Sequence, residues 1–172
     1  MAQTTFSGPV KSLAGFISAG VSNSVTTAVG KTLTVANDAG KQIYYTSTAA
    51  ATFTLPAVNT SSPSDPTDPN QSNNYGATFE FVLSTTVTGN FVVQVANAND
   101  TIVGNAIIGS ATSTLVLNTA TASDTITLNG TTTGGIGGSS IKATVVGSNR
   151  YKVQVVSGGS GALATPFSAA VS

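Results

Sequence analysis

Apolar and polar residues alternate along most of this chain with a period of two, in short stretches. Residues 77–85 (ATFEFVLST) set Phe79, Phe81 and Leu83 on one side and Glu80, Val82 and Ser84 on the other, as in a strand with one face buried. Thr88, Gly89 and Asn90 break the run, and residues 91–96 (FVVQVA) resume it with Phe91, Val93 and Val95 together. The two stretches predict an antiparallel hairpin whose inward aromatics form the centre of the core. Residues 31–36 (KTLTVA) and 41–47 (KQIYYTS) flank Asn37, Asp38, Ala39 and Gly40, a turn signal that predicts a second hairpin. Residues 52–55 (TFTL) add a strand that Pro56 closes, since proline brings no N–H to a ladder. Further strands are expected at 101–108, 114–118, 124–129, 140–146 and 151–156, with glycines marking the breaks. About nine to eleven short antiparallel strands without intervening helices predict an all-β fold, a single β-sandwich or jelly-roll-like domain.

Three segments lack this period. Residues 1–20 scatter Phe6, Val10, Leu13, Phe16 and Ile17 among Gly, Ser and Pro, which predicts an irregular N-terminal arm ahead of a domain at 21–161. Inside that domain, residues 56–76 place Pro56, Pro63, Pro66 and Pro69 among Ser, Asn and Asp with almost nothing apolar. Such a stretch buries too little surface to offset ordering and is expected to be a long polar loop. Residues 162–172 set Phe167 among small residues and are expected to be a tail that closes a sheet edge or reaches a neighbour.

Composition sharpens the fold reading. The chain has 28 threonines and 21 serines. Threonine is branched at Cβ and favours extended backbone, while its hydroxyl suits a wet face. Charge is sparse and balanced, six cations against six acids, so nothing in the sequence builds the basic field that nucleic acid requires. No run approaches the roughly 20 apolar residues of a membrane-spanning helix, and the first residues lack the pattern of a secretion signal. Neither nucleic acid nor membrane is therefore an expected partner, and the expected route is assembly inside the cell.

Candidate chemistry is thin. Cysteine and histidine are both absent, which removes disulfides, thiolate and imidazole metal sites, and the side chain that titrates nearest neutral pH. The cluster TTTGGIGGSS at 131–140 lacks both the G-x-G-x-x-G spacing and a following lysine, and reads as a loop. Asp65, Asp68 and Asn70 offer oxygen ligands of the kind calcium takes, without EF-hand spacing. Glu80 and Asp124 are the two acids on or beside strong strands, but a hydrolytic pair needs both across one cleft. Serines are plentiful with no G-x-S-x-G elbow, which leaves a Ser–Lys pair as the formal nucleophile. Tyr44, Tyr45, Tyr75 and Tyr151 give a weak platform for sugar stacking. The expectation is a protein that is not an enzyme, with no catalytic residue, cofactor or metal.

Residues 2–16 (AQTTFSGPVKSLAGF), 124–138 (DTITLNGTTTGGIGG) and 164–172 (ATPFSAAVS) carry a resemblance. The chain resembles small β-rich head decoration, or cement, proteins of tailed phages that infect cyanobacteria and other aquatic bacteria. The likeness covers the ends and the final third, and the loop at 56–76 has no counterpart in it. It implies a virion protein made in the host cytoplasm and placed on the outer surface of the capsid, where it binds and braces the major capsid protein as a homotrimer. It brings no catalytic residues. The arms, through Phe6, Phe16 and Phe167, are expected to contact neighbouring subunits. The alternative is a tail or fibre component that binds a host surface.

Overall fold

The computed structural model describes residues 24–59, 74–147 and 149–171. Its strands are β1 (Ser24–Thr27), β2 (Gln42–Tyr45), β3 (Ala51–Thr54), β4 (Thr78–Leu83), β5 (Phe91–Gln94) and β6 (Thr101–Gly109). They continue with β7 (Thr114–Asn118), β8 (Thr125–Leu128), β9 (Ser140–Gly147), β10 (Arg150–Gly158) and β11 (Phe167–Ser168). A seven-stranded sheet in the order β1-β2-β4-β9-β10-β6-β7 packs on a four-stranded sheet in the order β11-β8-β5-β3. The architecture is all-β and sandwich-like, as the alternation predicts. Pairing is mixed: β1 with β2, β2 with β4, β3 with β5 and β10 with β6 are parallel, and the rest are antiparallel.

Both expected hairpins give way to other pairings. β4 lies in the larger sheet between β2 and β9, whereas β5 lies in the smaller one between β3 and β8. The chain crosses from sheet to sheet between them, so Phe81 and Phe91 meet edge to face across the sandwich, with ring centroids 6.2 Å apart. Alternation tells which side of a strand is buried; it is silent on which sheet the strand joins. Residues 31–36 also form no strand. Thr32 makes an isolated bridge to Thr54, and Val35–Asp38 is a single helical turn (α1) capped by the Thr34 hydroxyl, which accepts from the Asn37 N–H. Asp38 fixes that turn instead of an NDAG hairpin: its carboxylate accepts from Lys31 Nζ and from the Thr34 N–H. β1 went unforeseen, since SVTT offers one aliphatic residue in four positions.

The core is continuous. Tyr45, Phe53, Phe81 and Phe91 form an aromatic group with centroids 5.1–6.2 Å apart, and Phe79 packs at a tilt against Tyr151, 6.5 Å away by centroid. Ile43, Ile108, Ile126, Leu128, Ile141 and Val153 fill the space around the rings. The tail belongs to this domain: Phe167 is buried in the core and β11 pairs with β8, so Phe167 is not an anchor for a neighbouring subunit. The arm at 1–20, with Phe6 and Phe16, lies outside the described residues, as does most of the loop at 56–76.

Asp124 holds the tail down. It is buried, and its carboxylate accepts from the Ala170 N–H at 2.8 Å, the Val171 N–H at 3.2 Å and the Thr125 hydroxyl at 2.7 Å. Asp124→Ala strands those donors, and hydrogen bonds to a charged group carry roughly 1.5–3 kcal/mol each. The expected result is a loss of about 2–4 kcal/mol in urea unfolding, with protease cleavage in the last residues at concentrations that leave the parent chain whole.

Candidate interaction surface

The chemical candidates come apart in the structure. Glu80 lies in β4 on the face of the larger sheet turned away from the core, in register with Gln42 and Lys142, whereas Asp124 is buried at the start of β8 in the other sheet. They share no cleft. The glycine amides of the loop are already engaged. The N–H groups of Gly130, Gly134 and Gly138 donate to Gly134 O, Thr131 O and Leu83 O, that of Gly135 to Ser157 Oγ, and that of Gly137 to Thr86 Oγ1. Tyr45 and Tyr151 are buried, and their hydroxyls donate to Ala49 O and Pro56 O. Tyr44 and Tyr75 are exposed but lie toward opposite ends of β4, about 20 Å apart along the strand direction, so they build no stacking platform. Asp65, Asp68 and Asn70 fall outside the described residues, and among those described no group of acids is arranged to hold a metal.

Three buried carboxylates do structural work. Asp38 and Asp124 act as above. Asp100 accepts from the Val58 N–H at 3.0 Å and Asn97 Nδ2 at 2.9 Å, and Asn74 bonds Ala57 and Asn59, so the two ends of the polar loop are clamped together. Burial pushes the Tyr151 hydroxyl far above the ordinary tyrosine range, and the Asp100 charge adds to it. For Asp38, burial acts to raise the pKa, but the Lys31 hydrogen bond, the Thr34 N–H and the charges of Lys31 and Lys41 outweigh it and hold the carboxyl below its ordinary value. A carboxyl lowered on folding stabilises the native state above its unfolded pKa, and that contribution is lost as pH falls through the folded pKa. The melting-temperature gap between the parent chain and Asp38→Asn is therefore expected to stay constant down to about pH 4 and to close below it. A gap that closes between about pH 7 and 5 contradicts this assignment.

What remains is surface. On the outward face of the smaller sheet Thr52 lies beside Val92 and Thr127, and Thr54 beside Gln94, while Thr125 in the same row is buried against Asp124. The larger sheet differs. Its strand registers line up one row across all seven strands: Thr26, Tyr44, Val82, Ser140, Val156, Ile107 and Val116. Six strand spacings make this row about 29 Å long. Val156, Ile107 and Val116 are 56%, 42% and 62% exposed, far more than a sheet facing only its own core requires. The next row is polar throughout: Ser24, Gln42, Glu80, Lys142, Gln154, Asn105 and Asn118. Beyond it Lys152 and Arg150 stand next to Val103 and Thr101.

Burial also sorts the charges. Asp38, Asp100 and Asp124 are inside, and Lys31 is paired with Asp38. Glu80 is thus the one acid among the described residues on this face, against Lys142, Arg150 and Lys152, and a chain with no net charge presents a cationic side. Three shallow depressions there hold about 240, 230 and 230 Å³, below the roughly 300–1,000 Å³ of small-molecule sites. The face suits contact with another surface. Sequence reasoning missed it, although a signal was present: FVL at 81–83, II at 107–108, LVL at 115–117 and VV at 155–156 are apolar on both sides of their strands.

Among the described residues no helix is long and apolar enough to cross a membrane. No protein-family model, curated protein or solved structure matches the chain.

Proposed function

We propose that this chain is a non-enzymatic structural protein of a virion, an outer capsid decoration protein that lays the outward face of its seven-stranded sheet on the lattice of the major capsid protein. The observation that carries the reading is the in-register row from Tyr44 to Val116, whose exposed aliphatic end has no use in a protein that works alone in water. A flat apolar stripe beside Lys142, Lys152 and Arg150 fits a protein surface that offers apolar contacts flanked by acids. The sequence resemblance supplies the capsid. Repetition of the lattice supplies avidity, since many modest contacts held at fixed spacing bind far more tightly than one.

The test is decoration of purified heads by the added chain, read by electron microscopy and co-sedimentation. The chain is expected to bind the outside of heads with its seven-stranded sheet toward the lattice. Val156→Glu, on the exposed row, is expected to lower occupancy about tenfold or more, because it sets an unpaired charge in the contact. Thr52→Glu, on the smaller sheet, is expected to leave binding unchanged. Equal binding by both variants overturns the docking face. Density on tails or fibres in place of heads overturns the capsid assignment in favour of host-surface binding.

A further inference from the structure

β7 ends the larger sheet, and among the described residues no strand pairs with its far side. The β6–β7 turn closes with the Ser110 N–H donating to Ser113 O at 2.7 Å, and the Thr119 N–H donates to Gly104 O at 3.1 Å. Bonded and non-bonded positions alternate along an antiparallel ladder, so Leu115 and Leu117 bond to β6. The N–H and C=O groups of Thr114, Val116 and Asn118 therefore point away from the sheet. Edges of this kind are normally guarded by proline, charge or a bulge. Residues Thr114–Asn118 contain no proline and no charge, and their register with β6 runs without a shift. The opposite edge, β1, is shorter, with four residues against the five of β7.

We propose that two copies of this chain join edge to edge through β7, antiparallel about a two-fold axis at Val116. The edge is self-complementary. Val116 faces the second copy's Val116, Thr114 faces its Asn118, and the outward groups of three residues on each strand close about six hydrogen bonds. The exposed row then runs unbroken across the axis, from Val156, Ile107 and Val116 into Val116, Ile107 and Val156 of the second copy. On the opposite side of the strand Leu115 meets the second copy's Leu117. Asn105, Ile107, Gly109 and β7 itself carry no charge, so no like charges are brought together. The contact falls at the small end of interface sizes, below about 1,200 Å², where weak and transient associations sit, so the micromolar range is where the association is sought. It closes at two copies, where the sequence resemblance implies three, and it holds whether or not the chain decorates a capsid.

Sedimentation equilibrium of the full chain from about 1 to 200 µM is expected to show the mass climbing from 17.0 kDa to twice that value. Val116→Pro removes the outward N–H at the centre of the pairing and spares each bond to β6, and proline is tolerated on edge strands. Val116→Lys sets two ammonium groups opposite each other. Each is expected to weaken dimerisation about tenfold or more, with near-ultraviolet dichroism unchanged. The chain has no cysteine, so Val116→Cys gives a direct readout: oxidation is expected to yield a covalent dimer, while Val103→Cys, exposed on the same face but off the edge, stays monomeric. A mass that stays at one chain throughout, a trimer, a dimer indifferent to both Val116→Pro and Val116→Lys, or equal cross-linking through Val103→Cys overturns the proposal. Binding to heads is scored separately, so loss of the dimer and loss of decoration are told apart.

Discussion

Phe91→Ala is expected to lower the unfolding free energy by about 3–5 kcal/mol, a large share of what a domain of this size has. Phe91 is fully buried and its ring lies 5.1 Å from Tyr45, 5.3 Å from Phe53 and 6.2 Å from Phe81 by centroid. It is the point where β5 of the smaller sheet meets β2 and β4 of the larger, so truncation opens a void between two sheets. Neither sheet can close that void without losing register. Three ring-to-ring contacts go with it, on top of the lost apolar burial. Thr86→Ala is the comparison: its exposed hydroxyl accepts from the Gly137 N–H, and water replaces that bond, so the expected loss is under about 1 kcal/mol. Urea unfolding of the two variants measures both, and losses of similar small size show that the aromatic group does not carry the core.

Gly130→Ala is expected to be at least as damaging, by a different route. Gly130 has φ of +79°, and a Cβ built there would lie 1.8 Å from the carbonyl oxygen of Val87. That oxygen is backbone in a segment already fixed by the Val87 N–H donating to Gly135 O, so it has no rotamer to adopt instead. The loop and the β4–β5 connection must part, which exposes Val87 and breaks the bonds from the Gly130 N–H to Gly134 O and from the Val87 N–H to Gly135 O. A loss of about 4 kcal/mol or more is expected, with failure to fold at the upper end. Gly138→Ala separates clash from backbone strain. It has φ of +90° with nothing within 4 Å of the added carbon, and so meets only the strain of that conformation, about 1–2 kcal/mol. Equal losses at the two positions show that contact with Val87 is not what requires glycine at 130.

The parts of this fold legible in the sequence are those that depend on local order. Phe79, Phe81, Leu83, Phe91, Val93 and Val95 point inward as their spacing says, and 114–118 is a strand with the expected bounds. Sheet membership depends on contacts distant along the chain, which is why β4 and β5 were expected to pair and do not. Where the charges end up was hidden for a related reason. Six scattered cations look harmless until three acids are taken inside to hold the Lys31–Thr34 turn, the base of the polar loop and the C-terminal segment. Burial of those acids leaves Lys142, Arg150 and Lys152 facing outward with Glu80 as the one acid on that face among the described residues. The docking row is harder still, since it exists only once seven strands have found their register.

The same alternation between sheets bears on how the chain reaches its native state. β1–β2, β6–β7 and β9–β10 are the three places where strands consecutive in the chain pair directly, while β3, β4 and β5 each find their partners beyond the next strand. The parallel match of β10 with β6 cannot form until residues from Thr101 to Arg150 have been gathered into a loop. Loop closure on that scale precedes the contacts that reward it, which places folding in roughly the millisecond-to-second range typical of non-local β topologies. During that interval the apolar positions on both sides of β6, β7 and β10 are open to solvent, so yield on refolding should fall as protein concentration rises.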